Sequence, residues 1–208
     1  MGDMDLIEFF SRRWPTVLQL TLEHLVIVLV AMAISIALGI AIGVLISLDR
    51  TAARIVLNLN NVLMTIPSLA LFSLLIPVLG IGKAPAIVGL VAYTQLPLVR
   101  NVYTGITTVP PAVIEAARGM GLTERKIMLR IKLPLAFPAM MAGIRTATVM
   151  GIGIAAIAGY IGAGGLGVYI FQGISRTNDT MVLVGGVVIA LIAILTDRLL
   201  GRIQRHFE

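Results

Sequence analysis

Five predominantly apolar stretches, at residues 25–48, 56–79, 85–106, 140–159 and 181–200, leave this chain few ways to fold. A helix needs about 20 residues to cross the hydrocarbon core of a bilayer, and each stretch meets that length. Within lipid the backbone must satisfy its own hydrogen bonds, so such stretches become helices. Only 12% of the 208 residues are charged, where a soluble domain carries roughly a quarter. The expectation is an all-α membrane protein with five transmembrane helices. Residues 6–24 alternate apolar and polar side chains around Trp14 and Pro15, so 1–24 reads as an interfacial segment with Trp14 at headgroup level. Asp3, Asp5 and Glu8 stand where a cleavable signal would be basic, and insertion is expected to rest on the first long helix. Pro67 and Pro97 lie inside the second and third stretches, where kinks are expected and neighbouring helices satisfy the freed carbonyls.

The basic residues supply the orientation. With residues 108–134 in the cytoplasm, Arg50, Arg54, Arg100, Arg118, Arg125, Lys126, Arg130, Lys132, Arg198, Arg202 and Arg205 fall inside. Arg12, Arg13, Lys83 and Arg176 fall outside. That asymmetry satisfies the positive-inside rule with the N-terminus outside and the C-terminus cytoplasmic. The net charge of +6 is therefore an orientation signal, and no nucleic-acid partner is needed to explain it. The absence of cysteine excludes disulfides and thiolate metal sites.

Two rows of small residues mark how the helices meet. Ala31, Ser35, Gly39, Gly43 and Ser47 recur at four-residue spacing on the first stretch, and Gly143, Ala147, Gly151, Ala155 and Gly159 on the fourth. Lipid gives apolar side chains no reason to associate, so small residues that let backbones approach mark contact faces. Packing within the chain is the plainer expectation for both rows; dimerisation is the alternative.

The stretch 108–134 is different in kind. Thr108 is placed to cap a helix that holds Pro110 and Pro111 in its first turn. Val113, Ala116, Ala117 and Met120 share one shallow face at helical spacing. Gly121 can take the left-handed conformation that ends a helix. Thr123 can cap a second helix over residues 124–132, with Ile127, Met128 and Ile131 on its apolar side, and Pro134 is expected to stop it. A generic amphipathic loop resting its basic residues on anionic lipid is the bland alternative.

The register Glu115-Ala116-Ala117, Gly121, Ile131, Leu133-Pro134 resembles the loop by which ATP-binding-cassette importer permeases dock on their ATPase. The chain is similar over essentially its whole length to the permeases of glycine betaine, carnitine and choline (osmoprotectant) importers. The stretches that carry this are Thr65-Ile66-Pro67-Ser68-Leu69-Ala70, Gly80-Ile81-Gly82, Leu96-Pro97-Leu98-Val99-Arg100-Asn101, Ala142-Gly143-Ile144-Arg145 and Tyr160-Ile161-Gly162-Ala163-Gly164-Gly165-Leu166-Gly167. The resemblance implies a five-helix, methionine-importer-like (type I) permease in the cytoplasmic membrane, without cofactor. It would work beside a second copy or a paralogue, with two ATPase subunits and an extracytoplasmic solute-binding protein. Val113, Glu115, Ala116, Ala117, Met120, Gly121, Ile131, Leu133 and Pro134 would then form the ATPase-coupling surface.

Other motifs exclude chemistry. Gly162 to Gly167 fits G-x-G-x-x-G, but it follows an apolar helix and position 187 is Val, not the acidic residue of a dinucleotide site. It reads as a tight outer turn or short re-entrant segment. No phosphate-binding G-x-x-x-x-G-K-[ST], H-E-x-x-H or G-x-S-x-G occurs, so no enzyme activity and no metal site are expected. His24 and His206 fall on opposite sides of the membrane; His24 reads as a solvated or hydrogen-bonded interfacial residue. Arg145 is the one strong charge within a stretch. A buried cation is normally paired or facing water, so Asp197 is its first candidate partner at a cytoplasmic gate, with snorkelling to the surface as the rival. Tyr93 and Gln95 on the third stretch are candidates for the pathway. A quaternary ammonium cargo would suit cation–π recognition, yet Tyr93, Tyr103, Tyr160, Tyr169 and Phe171 form no evident cage in the sequence. Cargo of another kind (methionine, phosphonate, another amine) or a passive channel are the remaining alternatives.

Overall fold

A computed structural model describes residues 6–205, with side chains from residue 13 onward. Asp3, Asp5 and His206 lie outside the described residues. All regular structure among them is helical. The first helix, α1 (Leu6–Ile46), runs 41 residues without a break. The expected boundary near residue 24 is absent: Pro15 sits inside the helix, and Val17 and His24 are already buried.

The second apolar stretch departs most from expectation. It forms two helices, α2 (Arg50–Thr65) and α3 (Ser68–Leu79), which meet at 98°. Pro67 disfavours helical backbone at the residue before it, and Ile66 is accordingly extended, with ψ 127°. The continuous apolar sequence conceals this corner. Asp49 starts α2, its carboxylate accepting the N–H groups of Thr51 (2.7 Å) and Ala52 (3.4 Å).

The centre of the bundle is α4 (Lys83–Thr107), which packs most extensively against α1 and against α7 (Leu133–Ala158). Most of both small-residue rows lies at these contacts, while Gly159 packs against Gly167 and Val168 further along the chain. A methyl on Gly39 would come 2.7 Å from Leu98 Cβ, and one on Gly43 2.5 Å from Val102 Cβ. On α7, a methyl on Gly143 would meet Asn101 Cβ at 2.7 Å, while Ala147 and Ala155 are buried. Packing within the chain accounts for these rows, and the core of Ile27, Phe72, Leu90, Leu98 and Ile152 fills the space around them.

The remaining elements are α5 (Pro111–Gly119), α6 (Glu124–Ile127), α8 (Gly167–Ser175) and α9 (Asp179–Arg205). Among the described residues, Arg13–Ile46, Glu124–Ile161 and Asp179–Arg205 are long and apolar enough to cross a membrane, and the bent α2–α3 pair would make a fourth span. The enclosed α4 carries Thr94, Gln95, Arg100 and Asn101 and falls outside that set.

Candidate functional site

Two places gather the candidate residues. The first is α5 and the turn after it. Pro110 is extended and Pro111 takes the first helical position, where a missing N–H costs nothing. Thr108 does not cap this helix as expected. It ends α4 instead, its hydroxyl donating to the Thr104 carbonyl at 2.9 Å, because the extended Pro110 separates it from the α5 start.

The end of α5 is a Schellman turn. Leu122 N–H donates to the Ala117 carbonyl (3.1 Å) and Gly121 N–H to the Arg118 carbonyl (2.9 Å). Gly121 has φ +77° with open space around it, so it is glycine for its backbone and not for packing. Of the expected coupling face, Val113, Ala116 and Met120 are exposed, Met120 at 72%, as is Glu115; Ala117 alone is fully buried. Arg118 reaches over the turn to Glu124 at 2.7 Å. That hydrogen bond, reinforced by charge, pushes the Arg118 guanidinium further from deprotonation.

Beyond the turn, Thr123 holds the cap position of α6, but its hydroxyl makes no capping hydrogen bond. The helix then widens into a π turn, Met128–Lys132, in which Leu133 N–H donates to the Met128 carbonyl. Pro134 therefore does not stop the helix. A proline ring crowds the carbonyl four residues before it and offers no N–H; the wide turn just upstream makes room, and α7 continues directly. Leu133 packs with Met128 against Val102, Ile106 and Ala136, while Ile131 is half-buried and Pro134 exposed. These three belong to the root of α7 and not to the α5 surface.

The second place lies between α7 and α9. Arg145 and Asp197 form a two-point pair: Nη2 donates to Oδ2 at 2.7 Å, and Nε donates to Oδ1. Each is a little over one-third exposed. Gly201, one turn beyond Asp197, lies under the guanidinium, with Arg145 Cζ 3.2 Å from where a methyl would be. The pair borders a cavity of about 520 Å³ that is also lined by Thr146, Met150 and Gln204.

Tyr93 and Gln95 are elsewhere. Tyr93 is buried and donates its hydroxyl to the Ile66 carbonyl, at the corner between α2 and α3. Gln95 turns toward α1, its amide donating to the carbonyls of Val91 (3.2 Å) and Ser35 (3.4 Å). Neither lines the α7–α9 cavity.

Several polar contacts escaped the sequence. His24 is fully buried, with Nε2 3.1 Å from the Ile152 carbonyl, so that nitrogen carries the proton; of the two expectations, solvated or hydrogen-bonded, the hydrogen bond is the one present, inside the bundle. Its neighbour Glu23 accepts Gly165 N–H at 3.2 Å and ties down the glycine turn, where Gly162, Gly164 and Gly165 all have positive φ. Thr94 donates to Ser35 Oγ at 2.7 Å. The signal was available: His24 lies on the same helical face as Ala31 and Ser35.

Residues 35–208 match the family model described as binding-protein-dependent transport system inner membrane component. The osmoprotectant import permease protein OsmW of Salmonella typhimurium is 41% identical over 206 residues, covering 97% of this chain and 96% of that one. The choline transport system permease protein OpuBB of Bacillus subtilis is 38% identical, covering 96% and 92%. Among solved structures, a chain of the MetNI methionine ABC transporter in inward-facing conformations superposes with a TM-score of 0.82 at 26% identity, covering 92% of this chain and 96% of that chain. An exposed, glycine-terminated helix projecting from an all-helical membrane bundle, together with these likenesses, has one conclusion: the chain belongs to the family of binding-protein-dependent transport system inner membrane components.

Proposed function

We propose that this chain is the permease of an ATP-binding-cassette importer for quaternary-amine osmoprotectants of the glycine betaine, carnitine and choline type. The observation that carries the cargo is the near-full-length likeness to an osmoprotectant and a choline permease. In this proposal the chain crosses the membrane five times, with α2–α3 as the second span and α4 as the third, the N-terminus outside and the C-terminus cytoplasmic. It makes no bond itself. Two ATPase subunits drive it, a second copy or paralogue completes the pathway, and an extracytoplasmic solute-binding protein delivers the cargo.

Val113, Glu115, Ala116, Ala117, Met120 and Gly121 form the surface that the ATPase grips, and Ile131, Leu133 and Pro134 carry the motion into α7. Closure of the ATPase pair displaces α5, and the bundle switches between two packed arrangements. The Arg145–Asp197 pair acts as an inner latch between α7 and α9. Gln95 reaches the pathway when α4 parts from α1, and Tyr93 when α4 parts from the α2–α3 corner.

The test is uptake by the complete transporter in proteoliposomes. Glu115→Ala is expected to insert normally and to lower uptake roughly tenfold while ATP hydrolysis persists. Full uptake by this variant would remove the docking assignment. Binding of glycine betaine, choline, carnitine and methionine to the cognate solute-binding protein decides the cargo, and a preference for methionine would overturn it. Intact-mass analysis of the copurified complex tells a homodimer from a pair of paralogues.

A further inference from the structure

Two of the aromatic side chains that the sequence leaves scattered meet in space. Tyr160, just past the end of α7, and Phe171, on α8, meet edge to face with ring centroids 5.1 Å apart and planes at 61°. Tyr160 is 62% exposed. The two rings form a corner in a cleft of about 370 Å³, within the range of about 300–1,000 Å³ for small-molecule sites. The other three lie apart: Tyr93 is bonded to the Ile66 carbonyl, Tyr103 packs against the cluster of Ile46, Ala53 and Val99, and Tyr169 is buried.

Gln172 and Arg176 line the same cleft. Arg176 is exposed and forms no ion pair among the described residues. Its backbone is fixed. Arg176 N–H donates to the Gln172 carbonyl (3.0 Å) and Asn178 N–H to the Gly173 carbonyl (2.8 Å), while Asn178 Oδ1 accepts Met181 N–H (3.0 Å) at the start of α9. Gly173 lies against Val182, where a methyl would meet Val182 N at 2.9 Å, so α8 packs closely on the start of α9.

We propose that Tyr160 and Phe171 receive the trimethylammonium group of the cargo, and that Arg176, with Gln172 beside it, receives the cargo's carboxylate. A corner of two aromatic faces attracts a quaternary cation through their quadrupoles, and a guanidinium pairs with a carboxylate. The arrangement matches a methylated ammonium joined by a short linker to a carboxylate, as in glycine betaine, better than choline, which has only a hydroxyl. This inference rests on the osmoprotectant reading.

The experiment compares uptake of glycine betaine and choline by the complete transporter in proteoliposomes, at saturating solute-binding protein. Arg176→Gln is expected to slow glycine betaine uptake about tenfold and leave choline uptake unchanged. Tyr160→Ala is expected to slow both about fivefold, and Tyr160→Phe to restore them. An equal loss of both cargoes in Arg176→Gln, or no loss in either alanine or glutamine variant, would overturn the subsite. If the wild-type transporter carries neither compound, the osmoprotectant reading itself fails. Saturation-transfer NMR with glycine betaine on the transporter in nanodiscs then tests the cleft directly: a signal abolished by Tyr160→Ala upholds it, and no signal or an unchanged one rejects it.

Discussion

Two helices of nine residues each stand in opposite relations to the bundle. α5 buries a single side chain, Ala117, and ends in a glycine turn with open space around it. α8 buries Gly167, Tyr169 and Gly173, and at Gly167 its backbone lies directly on that of α7. Nine residues are too few for a stable isolated helix, so each needs support from outside itself. For α8 the chain supplies that support through close backbone approach. For α5 it supplies little beyond the buried Ala117, the Schellman turn and an exposed ion pair, which fits an element completed by another protein.

The contrast breaks most visibly at Gly167. A methyl there would lie 1.9 Å from the Ala156 carbonyl oxygen, and no side-chain rotation relieves that. Gly167→Ala is expected to destabilise by about 3 kcal/mol or more, read as a lowered melting temperature in detergent. An unchanged melting temperature would mean that α7 and α8 do not cross this closely. Next in size is the α7–α9 pair. Arg145→Leu is expected to abolish most uptake, and Arg145→Leu with Asp197→Leu to recover folding without recovering uptake. Recovery of both would make the pair structural only.

The smallest effects sharpen the comparison at α5. Gly121→Ala forces a side chain into φ +77° and should cost about 1 kcal/mol locally. Gly119→Ala, where a methyl has free space and φ is helical, should stabilise by up to about 0.5 kcal/mol. Hydrogen exchange over residues 111–122 should therefore speed up in the first variant and slow down in the second, with no change in α8. Identical behaviour of the two glycines would remove the turn's conformational explanation.

Much of the bundle was legible because lipid enforces simple rules. The row from Ala31 to Gly43 and the row from Gly143 to Ala155 announced the contacts of α1 and α7 with α4, since only small side chains allow such approach. The Arg145–Asp197 pair was legible for a related reason, a charge in an apolar helix needing a partner. What failed was punctuation by proline. Pro67 turned a corner where a kink was expected, and Pro134 was absorbed by a π turn where a stop was expected. Both outcomes depend on surroundings that lie outside the local sequence. Tyr93 stands ready at Ile66, and no local pattern around residue 66 could reveal a hydroxyl 27 positions away. The Tyr160–Phe171 corner was hidden in the same way, because the glycine turn that folds α8 back onto α7 sets it.

Residues 124–161 form one helix of 38 residues, from the turn beside α5 to the aromatic corner. At 1.5 Å per residue it is about 57 Å long, nearly twice the roughly 30 Å hydrocarbon thickness. Near its middle it crosses α4 closely at Gly143, where a methyl would lie 2.7 Å from Asn101 Cβ. A rod pinned at mid-length converts a sideways push at one tip into an opposite swing at the other. In the topology proposed above, its two ends lie on opposite faces of the membrane and are joined by continuous backbone.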